Sequence, residues 1–105
     1  MVTTSYSYEL DPALNVWITV EFTRTQRQIT SYAVVLVVVH EPGRTETIRL
    51  YDAAHGVNER HRYTRQDGKQ PAEIFHHGTL TEGLQAAIKT IQNGYHQMVE
   101  SWYHK

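Results

Sequence analysis

Residues 32–39 read Tyr-Ala-Val-Val-Leu-Val-Val-Val, a run with no charged position and mostly β-branched side chains. On a strand, Tyr32, Val34, Leu36 and Val38 leave one face, and Ala33, Val35, Val37 and Val39 leave the other. Both faces are apolar, so Ile29–Glu41 predicts a central strand covered on both sides. The run is far too short to span a membrane. A fold for these 105 residues must build a sheet around this strand and then cover that sheet twice.

The flanking segments supply the sheet. "SYSYEL" reads as a first short strand, closed by the turn residues of "DPALN". In "NVWITVEFTRT", Val16, Ile18, Val20 and Phe22 alternate with Trp17, Thr19, Glu21 and Thr23, the pattern of a half-buried strand. "TQRQ" and "EPGR" provide turns on either side of the central strand. "TETIRLYD" predicts a fourth strand, with Ile48 and Leu50 on one face and Thr47, Arg49 and Tyr51 on the other. "NERHRYTR" and "QPAEIFHH" flank "QDGK", whose Asp-Gly pair favours a tight hairpin turn, and Pro71 marks the returning arm as an edge.

The period then changes to three and four, with Leu84, Ile88, Ile91, Tyr95, Met98 and Trp102 forming one apolar helical stripe. Thr79 followed by Glu82 fits a capping box at the helix start. Gly94 costs about 1 kcal/mol relative to alanine, so a bend or break near "NG" is expected. The expected architecture is α+β: one domain over residues 1–105, with an antiparallel sheet of four to six strands followed by one long C-terminal helix packed on one face. A single helix covers a single face. The second face of the central strand, with Trp17 beside it, then calls for a homodimer or a partner protein, unless the sheet curls enough to bury it.

The composition excludes several chemistries. There is no cysteine, hence no disulfide, thiolate nucleophile or cysteine-ligated zinc. "VTTSYSYELD" after Met1 has neither a basic start nor an apolar signal core, so the expected location is cytoplasmic, with no membrane contact. None of the four serines sits in a nucleophile elbow, and neither a P-loop nor a dinucleotide fingerprint is present, so no cofactor is expected. His55 and His61 are six apart and match no common ligand spacing, while His76 and His77 point to opposite sides of a strand, so no metal is expected.

The net charge of −1 is unevenly spread, because Arg44, Arg49, Arg60, Arg62, Arg65 and Lys69 fall within residues 43–70. In the same region stand His55, His61, Asp52, Tyr51 and Tyr63. This set fits metal-free phosphodiester chemistry: histidine serves as base or acid near neutral pH, tyrosine donates a proton and arginine holds phosphate. The candidate catalytic residues are His55, His61, Tyr63 and Asp52, and the candidate RNA or phosphate ligands are Arg49, Arg60, Arg62, Arg65 and Lys69. Alternation in "RHRY" puts His61 and Tyr63 on one face and Arg60 and Arg62 on the other, while Gly56 allows the turn that returns His55 toward His61. Each of these residues also has a plain structural reading as packing, loop or solvated surface.

"YDAAHG", the basic "RHRY", the "DGK" turn and the helix that follows resemble the TumE-like toxins of bacterial toxin–antitoxin modules, with the specific likeness confined to about residues 48–70. The resemblance implies a ribonuclease-like toxin held by an antitoxin partner, with Asp52, His55, Gly56, His61 and Tyr63 carried over. The sequence departs from that pattern at Ala53 and Glu59, where those toxins carry asparagine and histidine. Two functions are therefore expected as alternatives: a toxin-like, metal-independent ribonuclease or RNA-binding protein, and a non-enzymatic interaction module of the phage or mobile-element inhibitor type that acts as a dimer or on a partner.

Overall fold

The computed structural model describes residues 1–104. Strands β1 (Val2–Asp11), β2 (Val16–Thr25), β3 (Gln28–Glu41), β4 (Arg44–Asp52) and β5 (Asn58–Thr64) form an antiparallel meander in chain order. Two short strands, β6 (Gly68–Lys69) and β7 (Glu73–His76), share the free edge of β5, and α1 (Leu80–Tyr103) closes the chain. The interruption between β6 and β7 falls at Pro71, whose ring nitrogen has no hydrogen to give the ladder. The architecture is therefore a curled antiparallel sheet followed by one helix, an α+β fold.

The first two connections are set by Asn15 and Gln26, both with positive φ. Asp11 stabilises the first by accepting the Ala13 and Leu14 amides. Such short-range bonds satisfy backbone groups that the ladder leaves open.

The core lies between α1 and one face of the sheet. Val16, Ile18 and Val20 from β2 and Tyr32, Val34, Leu36 and Val38 from β3 are buried there against Leu84, Ala87, Ile91, Val99 and Trp102. The opposite parity (Trp17, Thr19, Ala33, Val35, Val37 and Val39) is half-buried throughout, and among the described residues no second layer packs over it.

Strand β4 departs from the expected alternation. Leu36 pairs with Arg49 but Val37 pairs with Thr47, so a bulge takes up Ile48. Ile48 joins the core while Leu50, opposite Val35, lies on the uncovered face; the two do not share a side as simple alternation predicted.

The helix begins as the sequence implies. Thr79 Oγ1 accepts from the Glu82 amide and Glu82 Oε1 accepts from the Thr79 amide, completing the capping box. The expected break at Gly94 does not occur, and α1 runs unbroken over 24 residues. Its apolar face, anchored on both sides of Gly94 by Ile91 and Val99, outweighs the local propensity cost. Gly83 has a different role: a Cβ there would overlap the Asn58 side chain. Asn58 is buried, accepts from the Tyr32 hydroxyl at 2.6 Å and donates to the carbonyls of His76, Gly78 and Thr79. Burial, and then Asp52, push the Tyr32 phenol upward, so it remains a donor. Among the described residues, no helix is long and apolar enough to cross a membrane.

Candidate functional site

The pairing of β4 with β5 sorts the candidate residues. Leu50 faces His61 and Asp52 faces Glu59, on the side away from the helix; Arg49 faces Arg62 and Tyr51 faces Arg60, on the helix side. Side chains alternate across a sheet, so the histidines and the arginines leave β4–β5 in opposite directions.

On the uncovered side, Ala53 ends β4 by donating to the Tyr32 carbonyl, and Gly56 turns the chain at φ 78° while donating to the Ala53 carbonyl. That turn swings His55 back over β5. Its Nδ1 lies 2.6 Å from Glu59 Oε1; the histidine side chain is 72 % exposed and the glutamate only 13 %. A ring whose Nδ1–H is given to a carboxylate keeps Nε2 as a bare acceptor, the arrangement of an oriented general base. His61 is bound differently. It is buried, its Nδ1 donates to the Gln70 carbonyl at 3.0 Å, and its Nε2 stands 4.0 Å from Asp52 Oδ2, beyond hydrogen-bond range.

Asp52 and Glu59 are direct register partners, and like charges placed opposite each other repel. Each has a histidine beside it, His61 for Asp52 and His55 for Glu59. The uncovered side of β4–β5 thus carries two carboxylates and two imidazoles in alternation. Among the described residues, no group of three histidine or acidic side chains converges as a metal site requires.

On the helix side the chemistry is cationic. Glu73 of β7 pairs loosely with Arg60 at 3.6 Å and Arg62 at 3.4 Å. Arg49 is half-buried and donates to the Ile48 carbonyl at 3.1 Å. Burial lowers its pKa most, with Arg62 and Arg60 adding to that fall and Tyr51 and Glu73 opposing it. Tyr51 is buried edge-on against Phe75; burial raises its phenol pKa, and Arg60 and Arg49 pull it back. The Tyr51 hydroxyl and Arg60 Nε are both buried without a well-formed hydrogen bond, so this wall of the protein keeps unspent polar capacity.

The whole chain, residues 1–105, matches the family described as a domain of unknown function, DUF7718. It belongs to that family. No curated protein and no solved structure matches it. Nothing in the family match links the chain to TumE-like toxins, so that resemblance rests on residues 48–70 alone.

In this DUF7718 chain the sequence-predicted residues fall into four places. His55, His61 and Asp52 come together on the uncovered face. Arg49, Arg60 and Arg62 come together on the helix side. Arg65 joins neither group: its guanidinium lies 5.3 Å from the Trp102 ring centroid and 5.8 Å from that of Tyr103, and it donates to the Tyr103 carbonyl at 3.4 Å. Lys69 is exposed and pairs with half-buried Tyr63 across β5–β6, two residues along the strand from His61.

Sequence reasoning missed Glu59, the residue that holds His55. Its signal was present, since Glu59 follows His55 by four and shares the parity of His61, but the pairing depends on the Gly56 turn. It also missed Asn58, whose four hydrogen bonds tie β3, β7 and the helix start together. A lone asparagine at a strand start carries no sequence signal for that role.

Proposed function

We propose that the uncovered face of β4–β5 performs metal-independent acid–base chemistry on RNA, in a toxin-like protein restrained by a partner. The observation that carries this reading is the His55–Glu59 pair: an exposed imidazole oriented by a shielded carboxylate. His55 Nε2 takes the proton of a ribose 2′-hydroxyl as that oxygen attacks the adjacent phosphorus. The bond to the 5′-oxygen breaks, the leaving oxygen collects a proton from the imidazolium or from water, and a 2′,3′-cyclic phosphate remains. Glu59 stabilises the imidazolium formed in between. His61, buried and tied to the Gln70 carbonyl, is a positioning residue that fixes the arm following β6. Lys69 supplies positive charge along this face.

The test is cleavage of a mixed-sequence RNA in EDTA. The wild type is expected to cleave, and His55→Ala and Glu59→Gln are expected to lose roughly 100-fold or more. Both substitutions spare the core. Activity that is absent in the wild type, or unchanged in His55→Ala, would sink this reading.

A second reading, an interaction module, is favoured by a separate observation. Among the described residues, no layer packs over the apolar second face of β2–β3–β4 (Trp17, Val35, Val37, Val39 and Leu50). It predicts a stable dimer or heterocomplex that Val37→Asp dissolves without loss of the monomer fold, measured by light scattering with size-exclusion chromatography. A monomer at every concentration, together with no partner-dependent change on mutating this face, would end it.

A further inference from the structure

The helix side of β4–β5 holds a depression of about 240 Å³ where the last turns of α1 pass over the two strands. Arg49 of β4 and Arg62, Tyr63 and Thr64 of β5 line it together with Gln70, which follows β6, and Ser101 and Trp102 of the helix. Several independent features there favour an anion. Three guanidiniums, those of Arg49, Arg60 and Arg62, share this face, and the one carboxylate paired with any of them among the described residues is Glu73. Arg49, half-buried at the hollow, forms no ion pair among the described residues and spends one contact on a main-chain carbonyl. The negative end of α1, which would oppose an anion, is covered by Arg65 through its bond to the Tyr103 carbonyl. Ser101 and Thr64 add hydroxyls, and Gln70 an amide, at the rim.

We propose that this depression binds a phosphate monoester, with Arg49 and Arg62 as its cationic ligands and Ser101 as a hydroxyl donor. A dianion matches the local excess: three arginines against one glutamate leave two positive charges. Paired guanidinium forks suit the oxygens of a phosphate better than a point charge would. The volume lies below the roughly 300–1,000 Å³ of drug-sized pockets, so the site takes the phosphate head and leaves the rest of its carrier outside. The site is separate from the His55–Glu59 pair, because neither of those residues lines it and Arg49 and Arg62 leave the sheet on the opposite side from Glu59. It therefore stands or falls independently of the RNA-cleaving reading.

Titration calorimetry at low salt and pH 7.5 tests this with four probes: inorganic phosphate, a nucleoside 5′-monophosphate, and one short RNA with either a 5′-phosphate or a 5′-hydroxyl. Saturable binding is expected for the three probes that carry a monoester or free phosphate, and the 5′-hydroxyl RNA is expected to bind more weakly. Tighter binding of the nucleotide than of inorganic phosphate identifies a nucleotide as the carrier; equal binding identifies free phosphate. Arg62→Gln, at a side chain 54 % exposed and so dispensable for folding, is expected to weaken binding roughly ten- to hundred-fold. Arg49→Gln, with its fold checked by circular dichroism, and Ser101→Glu are expected to weaken it at least as much. No saturable binding of any monoester at millimolar concentration would overturn the proposal. So would binding indifferent to Arg62→Gln, or a 5′-hydroxyl RNA bound as tightly as its phosphorylated twin.

Discussion

The two faces of the sheet are equally apolar along β3 but have opposite fates. Val34, Leu36 and Val38 are sealed under α1, whereas Val35, Val37 and Val39, one residue out of phase, are only half-buried. The same alternation, carried across to β4–β5, gives the sealed side its arginines and Tyr51 and the uncovered side its histidines and carboxylates. Hydrophobic pattern thus says that a face can be buried, and the single helix decides which face is. The exposed His55 and its carboxylate partner Glu59 then sit on the side away from the helix.

The sharpest way to break this comparison is to truncate matched positions on the two faces. Leu36→Ala is expected to cost about 3 kcal/mol, from lost transfer energy and the cavity left behind, whereas Val37→Ala is expected to cost under about 1 kcal/mol. Urea denaturation measures both. Equal losses would mean that the second face is as tightly packed as the first.

Next in size is Gly83→Ala, which propensity alone would make stabilising. Its Cβ would overlap Asn58, the buried residue that ties the helix start to β3 and β7, so a loss of about 1–3 kcal/mol is expected instead. Gly94→Ala supplies the contrast: the added Cβ meets Met98 Cε at 3.4 Å, ordinary contact, and a gain of up to about 1 kcal/mol is expected. Opposite signs in thermal melts would separate a glycine needed for close approach from one merely tolerated.

The helix start provides a further and pH-dependent test. Thr79→Ala is expected to cost about 1 kcal/mol by removing the cap. Hydrogen bonds from the Thr79 amide, and then from its hydroxyl, hold the Glu82 carboxyl below its ordinary range. A carboxyl lowered in the folded state contributes fully above its unfolded pKa, and the contribution disappears as pH falls through the lowered value. Glu82→Gln should therefore flatten the acid side of the stability profile and change little near neutrality. A profile that keeps its acid slope in Glu82→Gln would assign that slope to other carboxylates.

Much of the fold was legible because local periods and tertiary packing agree. Alternation located β2, β3 and β4, the step of three and four located α1, and Thr79 with Glu82 marked its start. What escaped depended on non-local geometry. The bulge at Ile48 shifts one residue against β3, which no pattern within β4 reveals. The unbroken course through Gly94 reflects packing of Ile91 and Val99 on a sheet built from distant sequence. At the candidate site, parity correctly separated His61 from Arg60 and Arg62. The His55–Glu59 contact needed the Gly56 turn, and the arginine-lined depression needed the end of α1 laid over β4 and β5.

The central claim, that the uncovered face holds an imidazole oriented for proton transfer, is tested most directly by ¹⁵N NMR of the neutral His55 ring. The account predicts a protonated Nδ1 and a bare Nε2 in the wild type, with this tautomer preference lost in Glu59→Gln. A neutral ring protonated at Nε2, or a spectrum indifferent to Glu59→Gln, would contradict it.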